Sequence, residues 1–297
     1  MKSLAPHRPP NTFRPDAIVL AKRHGVPVLD VVMPVRNEAK ALEQSVRRLH
    51  GYMREHLPYQ TRITIADEAS EDDTPRVTQA LAEELDGLRV LRFEQKGRGG
   101  ALNAAWSSSS APVLASMGVG LSIDLAALAP LTAPLISGHS DVALGFRARH
   151  GALGGVSRAE AMLLAVVLRA KFPKARCGLT AIRAEAAREL LPHVADADHF
   201  FDTELLILAE RVGLRLHEVP VDCAADGDRP DAAPPVGDLR GCARLVWERL
   251  VGAVPVRHLA DRLGSTPARG FLLRQLVRLA SSGRQVSEAA DARTRLA

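Results

Sequence analysis

Cysteine is scarce in this sequence, and its spacing excludes two classes of small protein. The 297-residue chain has three cysteines, Cys177, Cys223 and Cys242, which lie far apart. They form neither a disulfide framework nor the paired spacing of a zinc site. We therefore expect a cytoplasmic protein in a reducing compartment.

Aromatic residues and net charge are also low. Phe, Trp and Tyr make up 4% of the chain, the formal net charge is +5, and no nucleic-acid-binding module is recognisable. We therefore expect no nucleic acid partner. The mild positive charge favours anionic ligands in general. With 46% hydrophobic residues, the chain is long enough to bury one large core with a smaller appendage.

Long apolar runs and nucleotide-binding glycine motifs are missing. Residues 99–123 carry no formal charge, but a run of four serines at 107–110 makes a membrane span unfavourable. The apolar run at 17–21 is too short for a signal peptide core, so residues 1–26 are predicted to form a flexible arm. The Gly-x-Gly pairs at 97–99 and 118–120 lack the third glycine of a dinucleotide fingerprint, and no Walker motif is present.

The hydrophobic pattern predicts alternating strands and helices from Val26 onward. This alternation is typical of an α/β fold with an open, mostly parallel sheet and helices on both faces. We assign residues 27–237 to this domain and residues 238–297 to a C-terminal helical extension and tail. The predicted strands are 28–35, 61–67, 88–93, 113–117 and 141–145, and the predicted helices are 38–52, 74–85, 101–107 and 125–136.

The ends of the predicted strands differ in charge. Acidic residues follow the first two strands, and basic residues follow the third and the fifth. Ligands of such sheets bind at the carboxyl ends of the strands. One ligand with hydrogen-bond donors at one end and phosphates at the other, such as a nucleotide sugar, fits this pattern. The alternative is that these are solvated loops in which Ser70, Asp72 or Asp73 caps the next helix.

Seven segments between Val28 and Cys223 resemble family 2 glycosyltransferases of the GT-A fold. The resemblance is strongest to the dolichyl- or polyprenyl-phosphate sugar synthase branch. It implies a UDP- or GDP-hexose donor and a polyprenyl phosphate or similar acceptor. The segments are VVMPVRNEA, IADEASEDDT, KGRGGALNAAW, MGVGLSID, GFRA, RCGLTAIRA and FFDTELLILAERVGLRLHEVPVD.

The resemblance assigns roles to residues of the donor site. A carboxylate accepts hydrogen bonds from a base and from ribose hydroxyls, and a guanidinium suits phosphate. Pro34, Glu38 and Asp67 match family positions that contact the nucleoside. Arg98, Arg147 and Arg158 match positions near the phosphates. The complete predicted nucleotide-sugar site is Pro34, Glu38, Asp67, Arg98, Gly118, Gly120, Arg147 and Arg158.

Two glycines replace the aspartates that hold a divalent metal in this branch. The segment normally reads Met-Asp-x-Asp, and here Met117 is followed by Gly118 and Gly120. The family's Mg²⁺ or Mn²⁺ bridges the sugar diphosphate. We therefore expect no metal ligands and no cofactor, although Glu68, Glu71 and neighbouring acids are candidates for a rebuilt site.

The predicted catalytic residues are Asp202, Glu204 and Lys174. Asp202 and Glu204 match the family's acidic motif on the acceptor side, but Glu204 also fits a simple charge at a helix start. Lys174 stands where the family has an aspartate. Its ammonium could stabilise phosphate charge in place of a metal. The chain is thus predicted to be either a transferase with unconventional phosphate stabilisation or a non-catalytic pseudoglycosyltransferase that binds or regulates.

The C-terminal extension is basic. Helices are predicted at 239–251, 256–263 and 271–280, with eight arginines and two acids between residues 243 and 284. Such helices can lie on an anionic membrane surface, next to a polyprenyl phosphate acceptor at the inner face of the membrane. Equally, they can pack on the core and expose their arginines.

Overall fold

The computed structural model describes residues 25–120, 123–147, 176–198, 200–222 and 256–264. Within these ranges the chain forms seven strands and seven α-helices. The strands are β1 (Leu29–Val35), β2 (Thr61–Glu68), β3 (Leu88–Phe93), β4 (Val113–Ser116), β5 (Val142–Arg147), β6 (Arg176–Arg183) and β7 (Leu216–Val221). The helices are α1 (Ala39–His56), α2 (Thr74–Glu84), α3 (Arg98–Ser107), α4 (Leu128–Ile136), α5 (Ala184–Leu190), α6 (Phe201–Val212) and α7 (Val256–Leu263).

All seven strands form one sheet, in the order β3-β2-β1-β4-β6-β5-β7. Strand β6 is antiparallel to its neighbours β4 and β5, and the other neighbouring pairs are parallel. The predicted mostly parallel sheet is confirmed. The pattern did not predict β6, because Gly178, with φ of 73°, interrupts its short apolar run.

Helices cover both faces of the sheet, as predicted. Alternate residues of β1 point to opposite faces, as expected for extended backbone. Val31 and Met33 join a core formed with α1 and α4, whereas Val32 joins a second core with α3, α5 and α6. Both faces of β1 are therefore buried, which explains why the strand is apolar except at Asp30.

Helix α7 packs its apolar side against the second core. Leu259 and Ala260 are buried there, and Arg262 forms an ion pair with Glu189 of α5 at 2.8 Å. The helix predicted at 256–263 is confirmed. Of the two alternatives for the basic helices, this one packs on the core. The helices predicted at 239–251 and 271–280 lie outside the described residues. No helix in the described ranges is both long enough and apolar enough to cross a membrane.

The bounds of three helices differ from the prediction. Helix α1 continues to His56, beyond the predicted end at residue 52. Helix α3 begins at Arg98 instead of Ala101, so the glycine-rich segment 97–100 enters the first turn of a helix. The single helix predicted at 125–136 is a 3₁₀ turn at Leu125–Ala127 followed by α4. The carboxylate of Asp124 starts this turn by accepting the N–H of Ala126 at 3.0 Å. Such local capping favours a separate tight turn.

Candidate functional site

Asp67 lies at the carboxyl end of β2, buried beneath the loops that follow β1 and β2. Its side chain is 1% exposed, and Oδ1 accepts the backbone N–H of Ser70 at 3.0 Å. Oδ2 accepts no hydrogen bond from a described residue and lies 3.7 Å from Nε of Arg92 on β3. Because buried carboxylate oxygens normally accept hydrogen bonds, Asp67 has acceptor capacity left for a ligand.

The loops after β1 and β2 are joined side by side. The backbone N–H of Asn37 donates to Oγ of Ser70 at 3.0 Å, and that of Glu38 donates to Oγ1 of Thr74 at 2.9 Å. In return, Oδ1 of Asn37 accepts the N–H of Glu71 at 2.9 Å. Both loops also contain a non-glycine residue with positive φ, Asn37 at 53° and Ala69 at 54°. A strained backbone of this kind persists only where its surroundings hold it.

Asp72 connects the same two loops and also caps α2. One carboxylate oxygen accepts the N–H of Thr74 at 2.9 Å, and the other accepts that of Ala39 at 3.3 Å. Burial alone would raise the pKa of Asp72, but the hydrogen bonds from Thr74 and Ala39 outweigh it, and the pKa lies below its ordinary value. Asp72 therefore fulfils the capping alternative through the first N–H of α2. The side chain of Asp73, at the N-cap position itself, makes no capping hydrogen bond with the described residues, and Ser70 links the loops instead.

The glycines of segment 97–100 allow close approach to the chain before α6. A Cβ on Gly97, whose φ is 140°, would lie 2.6 Å from the carbonyl oxygen of Ala197. A Cβ on Gly99 would lie 2.6 Å from Cβ of Phe201, and the N–H of Gly100 donates to the oxygen of Ala197 at 2.9 Å. Steric contact within the protein therefore accounts for Gly97 and Gly99 without a phosphate.

Arg98 and Asp202 contact each other. The guanidinium of Arg98 donates to Oδ2 of Asp202 in a very short ion pair, and the side chains are 22% and 15% exposed. Oδ1 of Asp202 is buried and accepts no hydrogen bond from a described residue. Two residues that the resemblance places at opposite ends of the reaction are thus direct partners.

Glu204 lies one turn into the same helix and is 1% exposed. Its Oε2 accepts the backbone N–H of Asp196 at 2.8 Å. The carboxylate therefore holds the chain segment against which Gly97 and Gly99 pack. Glu204 is an acidic residue of the first turn of α6, as the helix-start alternative predicts, and its side chain is in addition buried and bonded to the backbone.

Gly118 follows β4, and its φ is not positive. A Cβ built there meets no atom of a described residue within 4 Å. Gly120 is exposed. No group of three or more His, Cys, Asp or Glu side chains in the described ranges is arranged to hold a metal ion. The described residues near Gly118 therefore do not fit a divalent metal.

Ser116, the last residue of β4, was not singled out from the sequence. It is 0% exposed, and its hydroxyl has no hydrogen-bond partner among the described residues. Arg92 was missed as well. Arg92 lies beside Asp67 because the two residues are partners in the register of β2 and β3.

The strand order separates the two basic strand ends. Strand β3 lies at one edge, and β5 lies on the far side of β1, β4 and β6. The expectation that the basic ends form one phosphate-binding end therefore does not fit the order. Pro34 is buried near the end of β1 and Arg147 ends β5, whereas Lys174, Arg158 and the side chain of Arg147 lie outside the described residues.

The mostly parallel sheet, with one antiparallel strand and polar loops at the carboxyl ends of β1 and β2, is that of the nucleotide-diphospho-sugar transferase (GT-A) class of folds. The model of glycosyl transferase family 2 matches residues 30–177. The chain belongs to this family.

Relatives of known sequence and structure agree with this assignment. The chain is 34% identical over 228 residues to glycosyltransferase AglD from Haloferax volcanii; the match covers 74% of this chain and 36% of the relative. The chain thus spans about a third of that relative's length. Mannosyl-3-phosphoglycerate synthase from Rubrobacter xylanophilus aligns with a TM-score of 0.52 at 16% identity, over 82% of this chain and 80% of that one. TarS residues 1–349 from S. aureus, in complex with UDP-GlcNAc, align with a TM-score of 0.51 at 15% identity, over 79% and 70%.

Proposed function

We propose that this domain binds a nucleoside diphosphate sugar at the carboxyl ends of β1 and β2, and that it does so without a divalent metal. The observation that carries the proposal is Asp67, a buried carboxylate with one oxygen that accepts no hydrogen bond from a described residue. TarS, which has the same fold, was solved with UDP-GlcNAc. A base N–H or a ribose hydroxyl would supply the missing donor.

Metal independence rests on the segment after β4. The two positions that carry aspartates in the resembling branch are Gly118 and Gly120, which offer only backbone oxygen. The nearby Asp124 is already bonded to the turn that it starts. A hard cation needs several oxygen ligands, and the described residues here do not supply them.

The acceptor is proposed to be a polyprenyl phosphate or a similar phosphate, as the resemblance implies. Helix α7 offers no apolar face to a membrane, because Leu259 and Ala260 lie in the core. Membrane contact would therefore depend on other parts of the basic C-terminal extension.

A second candidate function is binding without transfer. The observation that favours it is the ion pair between Arg98 and Asp202, which neutralises both a phosphate-binding cation and an acceptor-side acid. To distinguish transfer from binding alone, the protein is incubated with radiolabelled UDP- and GDP-hexoses and a polyprenyl phosphate. The mixture is then extracted for labelled lipid. Labelled lipid that disappears in Asp202→Asn supports transfer, and nucleotide binding without it supports the pseudoenzyme.

The binding test is a calorimetric titration with UDP and GDP. Asp67→Asn preserves Oδ1 as the acceptor for Ser70 but removes the charge, and we expect it to weaken binding by about 1.5–3 kcal/mol. Asp73→Asn is the matched control, because Asp73 is exposed in the same loop and pairs only with Arg76 among the described residues. No binding at millimolar nucleotide would contradict the proposal.

The metal test restores the missing carboxylates. We expect nucleotide affinity of the natural chain to be the same with and without Mn²⁺. Gly118→Asp together with Gly120→Asp should make it metal-dependent, because two carboxylates supply ligand oxygens and charge. Gly118 tolerates the change, since a Cβ there meets no atom of a described residue within 4 Å and its φ is not positive. Strong Mn²⁺ dependence of the natural chain would refute this proposal.

A further inference from the structure

We propose that Asp202 occupies, on Arg98, the place that a phosphate of the bound nucleotide takes, so that nucleotide binding releases Asp202. The inference rests on the proposed function. It adds that two anions, the carboxylate of Asp202 and a phosphate of the ligand, bind the guanidinium of Arg98 in turn. It makes Asp202 a competitor of the diphosphate in the ligand-free state.

The backbone around Arg98 is fixed, so the exchange requires movement of side chains only. Gly97 and Gly99 leave no room for a Cβ against Ala197 and Phe201, and Gly100 is hydrogen-bonded to Ala197. The loop therefore cannot withdraw from α6 without losing this packing. The side chain of Arg98, which is 22% exposed, extends from this fixed backbone.

The two anions satisfy the same donors. A guanidinium binds carboxylate and phosphate oxygens with the same planar N–H groups. A diphosphate carries more charge than one carboxylate and has no metal partner in the proposed site. Asp202 accepts a hydrogen bond from Arg98 at Oδ2, and its Oδ1 accepts none from a described residue. The pair is thus less complete than a two-oxygen contact, and a phosphate can displace it.

Release of Asp202 has a consequence for the acceptor side. The oxygen of Asp202 that accepts a hydrogen bond from Arg98 has less capacity to accept one from another donor. Once a phosphate takes Arg98, Asp202 becomes a better acceptor for a hydrogen bond from a second ligand. The donor would therefore prepare the acceptor side by binding.

The experiment compares calorimetric affinities for uridine and UDP, with guanosine and GDP as a second pair. The variants are Asp202→Asn, Arg98→Gln and the double variant, and Asp198→Asn is the control for loss of one nearby exposed charge. We expect Asp202→Asn to tighten diphosphate binding about tenfold and to leave nucleoside binding unchanged, since one charge-assisted contact no longer competes. Arg98→Gln should remove the advantage of the diphosphate over the nucleoside, and adding Asp202→Asn to it should have no further effect.

Each other result has a defined meaning. Weaker diphosphate binding in Asp202→Asn would show that Asp202 positions Arg98 instead of competing with the ligand, and would overturn the inference. Equal tightening in Asp198→Asn would reduce the effect to general electrostatics and would also overturn it. If nucleosides bind but the diphosphate has no advantage in the natural chain, the inference fails and the nucleoside site stands. If neither binds, the proposed function fails as well. Urea unfolding of each variant verifies that it is folded.

Discussion

Two adjacent glycines in the first turn of α3 should respond in opposite ways to the same substitution. A Cβ on Gly99 would lie 2.6 Å from Cβ of Phe201, 2.9 Å from the carbonyl carbon of Ala197 and 2.9 Å from the oxygen of Asp198. None of these atoms belongs to the flexible end of a side chain. A Cβ on Gly100 would instead make ordinary contacts, at 3.8 Å, with Ala197.

The magnitudes follow from these distances. Gly99→Ala forces α3 away from the chain before α6, and overpacking of this kind costs about 1–3 kcal/mol. Gly100→Ala should stabilise the protein by about 0.4–1 kcal/mol, because alanine lowers the entropy of the unfolded chain at a position with compatible backbone. The two variants should therefore differ by about 1.4–4 kcal/mol in the free energy of unfolding.

Urea unfolding of the full chain, followed by far-ultraviolet circular dichroism, measures this difference. Nucleotide titration of the same samples shows whether the displacement of α3 also affects Arg98, which lies between Gly97 and Gly99. Equal stability of the two variants would refute the argument that close approach accounts for Gly99. In that case the glycine would have to be explained by a ligand.

Three further predictions concern stability. Ser116→Ala should leave the free energy of unfolding unchanged or raise it, since burial of an unbonded hydroxyl costs about 1–3 kcal/mol; a clear loss in urea unfolding would indicate a partner for the hydroxyl. Asp30→Asn should cost about 3 kcal/mol by the same assay, because Asp30 is 0% exposed and accepts two hydrogen bonds from Arg62; a loss below about 1 kcal/mol would contradict this. The pKa of Asp72 is lowered in the folded state, so its contribution is present above the ordinary carboxyl pKa and is lost as pH falls through the lowered value. Asp72→Asn should therefore reduce the loss of stability between pH 7 and strongly acidic pH, and an unchanged acid limb would argue against the contact with Thr74.

The alternation of apolar runs with helical spacing predicted β1 to β5, their flanking helices and the two covered faces. These elements follow from local periodicity, because a strand buried on both faces must be apolar along its length. Five parallel strand ends also predicted where the polar loops gather. The placement of Asp67 at the end of β2 required nothing beyond this pattern.

The contacts of Arg98, Asp202 and Gly99 were decided only by the tertiary structure. Arg98 and Asp202 are separated by 104 positions, and no local period relates them. Strands β2, β1, β4 and β6 lie between β3 and β5, so the basic ends of these two strands are not adjacent. The sequence by itself determined the apolar strands and helix faces and the polar loops, since these depend on side-chain type and spacing. Which cation pairs with which anion depends on how distant segments pack. Here the close packing of α6 and the chain before it against Gly97 and Gly99 brings Asp202 to Arg98.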